Sequence, residues 1–151
     1  MILLLFIIVL GFCSGSEITI TRATQSSDYS TKYTADKAVD NDLTTRSVTK
    51  DETNAWLRVY FSSSVVEKVV IEKGWSIGTG KSCIYQVSVY AGEVKKPCGT
   101  YTGKAKHKFY TNEVVQCGGS IGDSVMLEMP GCGKGVNVYE IKVYSQSKLE
   151  L

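Results

Sequence analysis

The chain has 151 residues, of which 43% are hydrophobic and 21% charged, and its formal net charge is +2. This length suits one domain with a single hydrophobic core. The small net charge gives no reason to expect nucleic acid as a partner, because proteins that bind it concentrate positive charge. The chain has one histidine and no recognisable carboxylate pair, so general acid–base catalysis has few groups to use. We therefore expect a binding protein rather than an enzyme.

The first residues, Met1–Phe12, form an apolar segment with the sequence MILLLFIIVLGF. It is shorter than the ~20 residues that a membrane-spanning helix needs, and the small residues Ser14–Ser16 follow it. These features predict a cleaved signal peptide over residues 1–16. They also predict a mature domain over residues 17–151 and a secreted, extracellular protein.

Cleavage at this position removes Cys13 and leaves four cysteines. An even number of cysteines in a secreted chain favours disulfide bonds, and four cysteines allow three pairings. Their spacing contains no Cys-x-x-Cys or other zinc motif, so we expect any metal site to use oxygen ligands. The four cysteines are Cys83, Cys98, Cys117 and Cys132.

The stretch Ala23–Asp42 (ATQSSDYSTKYTADKAVDND) is typical of a fixed loop. Thr34 is placed to cap a short helical turn over Ala35–Val39, and Asp40-Asn41-Asp42 ends that turn. Carboxylate and amide oxygens beside backbone carbonyls suit calcium, which takes oxygen ligands in irregular geometry. The commoner role of such a sequence is a turn whose side chains bond their own backbone, and these residues alone leave both interpretations open.

Apolar residues recur with a period of two along much of the chain, as in Trp56–Phe61 and Tyr85–Tyr90. This alternation is typical of β-strands. Short strands separated by Gly-rich turns, with few helices, predict an all-β, single-domain sandwich. The further predicted strands are Val65–Glu72, Lys106–Tyr110, Ser124–Met129 and Val136–Tyr144.

Two sequence matches point towards enzymes, and their context argues against both. Gly118–Gly122 (GGSIG) fits the G-x-S-x-G motif of a nucleophile elbow, but the single histidine, His107, precedes it in the chain. Gly78–Ser82 (GTGKS) resembles the end of a phosphate-binding loop, but it lacks the required first glycine and a following helical pattern. We interpret both segments as turns.

Positive charge clusters around the segment that follows Cys98, with aromatic residues between the basic ones. This cluster fits a solvated, Lys-rich face that protects a sheet edge, and it also fits a patch for sulfated glycans or acidic lipid. Its members are Lys95, Lys96, Lys104, Lys106, His107 and Lys108, interleaved with Tyr101, Phe109 and Tyr110.

Four segments of the chain carry a family resemblance. They are ATQSS at 23–27, ADKAVDND at 35–42, NAWLRVYF at 54–61 and VYEIKVY at 138–144. Together they resemble the F-type lectin (fucolectin) family, within the discoidin or coagulation-factor C-type superfamily, and the resemblance spans nearly the whole mature chain. It implies a jelly-roll β-sandwich and a carbohydrate-binding protein whose partners are glycans or glycoproteins, with a role in cell recognition.

The resemblance also implies a disulfide bond between Cys98 and Cys117. Cys83 and Cys132 then remain as the second pair, which departs from the family because its other cysteines lie elsewhere.

A structural calcium ion is a further implication of the family resemblance. Asp40 would provide a side-chain oxygen and Glu140 a carboxylate, so that the ion joins the first loop to the last strand. Backbone carbonyls would come from Lys37, Asp42 and Tyr139, the last of which stands where the family has a cysteine.

The sugar-binding residues of the family are not matched in this chain. Fucose-binding members use a histidine in the first loop and an Arg-x-Asp motif, whereas no histidine lies between Arg46 and Asn54. The position of the family arginine falls near Lys73, and the aspartate is absent. We expect a binding face that uses Arg46, Lys73, Trp75 and Lys81, with Trp75 as a stacking surface. The same residues fit exposed loop positions equally well.

Three functions are therefore open at this point. The first is a secreted lectin whose specificity differs from fucose. The second is an extracellular protein-interaction or adhesion module that has lost sugar binding. The third is a discoidin-like module that binds lipid surfaces through Trp75 and Ile77, which leaves membrane association open.

Overall fold

The computed structural model describes residues 15–73, 83–102 and 111–146. The predicted signal peptide lies almost wholly outside these residues, and the predicted strand Lys106–Tyr110 lies entirely outside them. No helix in the described ranges is long and apolar enough to cross a membrane. The elements are β1 (Arg22–Gln25), a 3-10 helix (Ala35–Ala38), β2 (Ser47–Val48), β3 (Asn54–Lys73), β4 (Ile84–Ala91), β5 (Val94–Thr102), β6 (Thr111–Pro130) and β7 (Asn137–Ser145).

Two long strands, β3 and β6, connect the two layers of the fold. The first part of β3, Asn54–Tyr60, pairs with β1 and with the C-terminal part of β6. The second part, Ser64–Lys73, pairs with β7 and with the N-terminal part of β6. The register between β3 and β6 shifts between Tyr60 and Ser64, which is where β3 passes from one layer to the other.

We call the two layers the front sheet and the back sheet. The front sheet contains β1, the first part of β3, the C-terminal part of β6, β4 and β5. The back sheet contains β2, β7, the second part of β3 and the N-terminal part of β6. All pairings are antiparallel, so the prediction of an all-β sandwich is confirmed.

The core lies between the sheets because alternate side chains of each strand point inward. In β3, Leu57 and Val59 are fully buried, whereas Arg58 and Tyr60, which alternate with them, are only half-buried. The predicted period of two is therefore present in the structure. Other fully buried core residues are Val69, Ile71, Val89, Val125, Leu127, Val138 and Val143.

Two disulfide bonds fix the edges of the sandwich. Cys98 on β5 is bonded to Cys117 on β6, and Cys83, just before β4, is bonded to Cys132 in the segment after β6. These are the same two pairs as in the sequence analysis. The second bond brings the beginning of β4 and the end of β6 together at one end of the fold.

The segment Gly118–Gly122 is not a turn, and that prediction was wrong. It lies inside β6, where two additional residues are accommodated between the pairs Val66–Ser120 and Lys68–Gln116. Gly118 and Gly119 have φ values of 61° and 81°, a backbone conformation that glycine adopts without steric cost. The glycines therefore form a bulge in a continuous strand, which is not the strand-to-helix turn of a nucleophile elbow.

β5 has no counterpart among the predicted strands. Its segment Val94–Thr102 contains Lys95, Lys96 and Pro97, which hide the alternating pattern in the sequence. Lys95 forms an ion pair with Glu128 (2.6 Å), and the Lys96 ammonium donates to the Ile121 carbonyl (2.9 Å). The two described lysines of the predicted basic cluster thus have partners on the sheet.

We expect Gly122→Ala to destabilise the fold. A Cβ atom at this position would overlap the Tyr90 carbonyl oxygen and a Val89 methyl group, so the front sheet would have to shift. The expected loss in free energy of unfolding is about 1–3 kcal/mol, measured by urea denaturation. Ile121→Ala is the control because the Ile121 side chain is exposed, and equal losses in both variants would contradict the close packing at Gly122.

Candidate functional site

The 3-10 helix anchors the first loop to the core. Ala35 and Ala38 are buried, and the backbone N–H of Lys37 donates to the Thr34 carbonyl (3.1 Å). The helix begins as predicted but ends at Ala38, with Val39 in the C-cap position. Thr34 precedes it in an extended conformation and its side chain caps no backbone group, contrary to the prediction, because its hydroxyl donates to the Asp36 carboxylate instead.

The acidic residues after this helix fold back on their own loop. One oxygen of Asp40 accepts the N–H of Asp42 (3.0 Å), and the other accepts the Thr45 hydroxyl (2.6 Å). Asp42 accepts both the N–H (2.8 Å) and the hydroxyl (2.6 Å) of Thr44, which lowers the pKa of this carboxyl group. Between them, Asn41 has a φ of 58°, a conformation that asparagine tolerates better than most residues. Side-chain hydrogen bonds within the loop thus fix its conformation.

Glu140 on β7 is the buried carboxylate of this region. Only 4% of it is exposed, and the backbone N–H of Asn41 donates to its carboxylate. Its Oε2 atom is buried without a hydrogen-bond partner among the described residues. Burial and the nearby charge of Asp40 raise the pKa of Glu140 to about 7. A buried carboxylate oxygen without a donor is costly, and a cation would relieve that cost.

Two pockets meet at Asn41 and Glu140. One, of about 290 Å³, lies towards the N-terminal segment, where Ile18 and Val39 line it. The other, of about 380 Å³, lies on the outer face of the back sheet beside Leu43. The loop therefore buries the Glu140 carboxylate, and both pockets border on this residue.

The structure brings together only part of the predicted calcium set. Asp40 and Glu140 are close enough to affect each other electrostatically. The Asp42 carbonyl already accepts the N–H of Thr45 (3.1 Å), and the ammonium of Lys37 lies 3.4 Å from a carboxylate oxygen of Asp36. The described ranges contain no cluster of three or more Asp, Glu, His or Cys side chains that could hold a metal ion, so a cation would need backbone carbonyls.

Tyr139 lies next to Glu140 at an irregularity of β7. The pairing with β3 passes from Glu72–Glu140 to Lys73–Val138, so Tyr139 is an additional residue on its strand. This bulge changes the alternation of the strand, and both Val138 and Glu140 are buried. It places the Tyr139 ring near Arg46, which directly precedes β2.

Arg46 lies between two tyrosine rings. Its Cζ atom is 5.3 Å from the centroid of Tyr33 and 5.7 Å from that of Tyr139. Tyr29 makes an edge-on contact with Tyr33 (centroids 6.0 Å apart) and is 65% exposed. In the described part of the chain, Arg46 forms no ion pair. We call these four residues, Tyr29, Tyr33, Arg46 and Tyr139, the Arg46 patch.

Lys73 is not available for a ligand in this structure. Its side chain is 3% exposed, and its ammonium donates to Glu113 (2.5 Å) and to the Thr102 carbonyl (2.8 Å). These contacts connect the ends of β3 and β5 and satisfy a buried charge, so we leave Lys73 out of the candidate site. Trp75 and Lys81, the other two predicted sugar-binding residues, and Ile77, the predicted lipid contact, lie outside the described residues.

The three tyrosines of the Arg46 patch were not predicted as ligand contacts. Tyr29 and Tyr33 lie in the segment DYSTKY, to which no role was assigned beyond the fixed loop Ala23–Asp42, and Tyr139 was predicted as a backbone ligand. The sequence feature that could have identified Tyr29 and Tyr33 is a pair of aromatic residues four positions apart. The contact with Arg46 depends on the tertiary fold, because Tyr139 lies far from Arg46 in sequence.

No protein-family model and no curated protein match the sequence. Among the solved structures with a similar fold are a fucolectin and two carbohydrate-binding modules. The fucolectin from striped bass (Morone saxatilis) serum matches 83% of this chain with a TM-score of 0.71 and 19% identity, and the chain spans 45% of its length. The family 32 carbohydrate-binding module of Clostridium perfringens NanJ, in complex with galactose, matches 82% of this chain and 93% of its own (TM-score 0.66, 18% identity). A chitosan-binding module of a Paenibacillus chitosanase/glucanase matches 82% of this chain and 94% of its own (TM-score 0.64, 22% identity). The chain has the galactose-binding-like jelly-roll fold.

The galactose-binding-like fold confirms the architecture that the family resemblance implied. At identities of 18–22%, the similarity concerns the fold and not the ligand. The Arg46 patch lies at the end of the sandwich where β3 and β5 terminate, because Lys73 pairs with Val138 and bonds to Thr102. The ligand of this chain therefore has to be inferred from the residues at its own candidate site.

We expect the calcium-free protein to lose stability as the pH rises from 5 to 8. The folded state keeps the Glu140 proton up to about pH 7. The unfolded chain releases it near pH ~4.3, so the folded state binds more protons in this window and its free energy of unfolding falls with rising pH. The loss is on the order of 1–3 kcal/mol.

Thermal denaturation in chelator between pH 5 and 8 measures this effect. The Glu140→Gln variant has no carboxyl group to titrate at this position, so its profile should be flatter by the same amount. A variant profile identical to that of the wild-type protein would show that Glu140 does not titrate as described.

Proposed function

We propose that this protein is a secreted, non-catalytic carbohydrate-binding module. The observation that carries the proposal is the Arg46 guanidinium, which lies between the rings of Tyr33 and Tyr139 at the loop end of the sandwich. The similar structures with sugar-binding names support the class of ligand, and the two disulfides support an extracellular location.

The chemistry of the Arg46 patch suits a sugar. The exposed ring of Tyr29 offers an apolar face on which the C–H groups of a pyranose ring pack. The Arg46 guanidinium has N–H donors that suit ring and hydroxyl oxygens, and the contacts with two rings hold it in place. A rigid donor flanked by aromatic faces loses little conformational entropy on binding.

Calcium is part of this proposal as a structural ion. The carboxylates of Asp40 and Glu140 would hold it, with backbone carbonyls of Lys37, Asp42 and Tyr139 completing the oxygen ligands. The buried Oε2 atom of Glu140, which has no donor among the described residues, supports the fit of these residues to a hard cation. A bound cation would neutralise two neighbouring carboxylates and fix the loop that carries Arg46.

Sugar binding is tested on a broad glycan array with the mature protein, followed by titration calorimetry with the best neutral ligand. We expect Arg46→Gln to weaken binding at least tenfold, which corresponds to about 1.4 kcal/mol. Lys32→Gln removes the same charge from an exposed position of the same loop and should leave the affinity unchanged. Unaltered melting temperatures would show that both variants fold.

An array without any bound glycan, on protein that is folded by this criterion, would contradict the proposal. That result would instead favour an extracellular protein-interaction module on the same scaffold.

The structural ion is tested by thermal denaturation at pH 7.5 with calcium and with chelator. We expect calcium to raise the melting temperature of the wild-type protein by about 5 °C or more, because it binds the folded state only. Glu140→Gln and Asp40→Asn should lose this increase, whereas Asp123→Asn on β6 should keep it. Equal melting temperatures in calcium and chelator for the wild-type protein would exclude the proposed ion.

A further inference from the structure

A second row of arginine and tyrosine side chains lies on the outer face of the front sheet. The Cζ atom of Arg22 is 3.9 Å from the centroid of the Tyr60 ring. The Cζ atom of Arg58 is 5.1 Å from the same ring and 4.5 Å from that of Tyr90. We call these four residues, Arg22, Tyr60, Arg58 and Tyr90, the Arg–Tyr row.

Strand register explains why these side chains meet. Arg22 on β1 pairs directly with Tyr60 on β3, and Ser124 on β6 lies between Tyr60 and Tyr90 on β4. Because strands alternate, the residues that point outward here are those between the buried core positions. The row therefore crosses four adjacent strands of one sheet.

Small residues beneath the row allow Arg58 to lie across the sheet. Ser124 and Ser88 are buried although both are on the outward side. The Arg58 Nε donates to the Ser124 hydroxyl (2.9 Å), and its Nη2 donates to the Gly92 carbonyl (3.3 Å). Two hydrogen bonds and two ring contacts hold this guanidinium in a fixed position.

The positive charges of the row are not neutralised by neighbours. Within the described ranges, neither Arg22 nor Arg58 forms an ion pair. The acidic residue on the same face, Glu128, is paired with Lys95 at 2.6 Å. Arg22 is exposed and its Cζ atom lies over the Tyr60 ring, and a guanidinium held by a ring contact keeps N–H donors for a ligand. The described part of this face thus presents two arginines that contact aromatic rings and form no ion pair.

We infer that the Arg–Tyr row binds the sulfate groups of an anionic polysaccharide. The guanidinium fork matches the oxygens of such groups in a bidentate manner, and ring contacts pre-order it. Neighbouring strands are ~4.8 Å apart, so the two arginines, on the adjacent strands β1 and β3, lie close enough to contact neighbouring sulfate groups of one extended polyanion. This inference rests on the proposed function, because it assigns the ligand to the glycan class.

The row is separate from the Arg46 patch. It lies beside the β4–β5 connection at Gly92, whereas the Arg46 patch lies where β3 and β5 end. A neutral glycan at one site and a sulfated chain at the other would not compete for the same residues. Variants of one site therefore report on that site alone.

Heparin is the probe for the row, with chemically desulfated heparin as the matched ligand. At 0.1 M NaCl, we expect Arg22→Gln to raise the Kd for heparin by three- to tenfold. Lys32→Gln makes the same charge change away from the row and should alter the Kd by less than twofold. Arg22→Lys keeps the charge but loses the fork, and it should give an intermediate Kd. Desulfated heparin should bind at least tenfold more weakly than heparin.

Three results would overturn the inference: an Arg22→Gln affinity equal to that of Lys32→Gln, equal binding of desulfated heparin, or equal binding of poly-glutamate. The last would show a general anion surface rather than a polysaccharide site. The array and the Arg46→Gln variant test the proposed function through a neutral glycan. Loss of neutral binding in Arg46→Gln with no effect of Arg22→Gln on heparin would therefore reject the inference and keep the proposed function.

Discussion

The buried carboxylate of Glu140 is the constraint on which the loop end of this protein depends. It accepts the backbone N–H of Asn41 while only 4% of the residue is exposed, so the loop after the 3-10 helix must stay packed on β7. This packing determines the course of the backbone from Asn41 to Arg46. The position of Arg46, a proposed ligand contact, thus depends on an interaction that no ligand needs to touch.

The basic side chains of this domain have two different kinds of environment. Lys73 is buried and fully partnered, and it stabilises the junction of β3 and β5. Arg46 and Arg22 instead contact aromatic rings, which order the guanidinium groups without using all of their donors. Because an ordered, unpaired cation on a sheet or loop surface can still bind an anion or hydroxyl oxygen, the second group is where binding is to be sought.

Much of the fold could be predicted from local patterns, whereas the site could not. The alternation of Leu57 and Val59 with polar residues identified strands, but it did not show that β3 continues through Ser62–Ser64, because this run of serines has no alternation of apolar and polar residues. Lys73 appeared to be an exposed donor, since its burial arises from contacts with Glu113 and Thr102 on other strands. The Tyr139–Arg46 contact likewise depends on a bulge in β7. The predicted calcium residues came from family resemblance, and the structure shows that the charge of Asp40 acts on the Glu140 carboxyl group.

The most direct test of this account is amide hydrogen–deuterium exchange of the wild-type protein and of Glu140→Ala, compared at one pH. If Glu140 holds the loop on β7, residues 39–46 of the variant should exchange at least ~10-fold faster, which is a loss of about 1.4 kcal/mol of local stability. The amides of β4 in the front sheet should be unchanged. Equal exchange of residues 39–46 in both proteins would show that the loop is held by other contacts and would contradict the central role of Glu140.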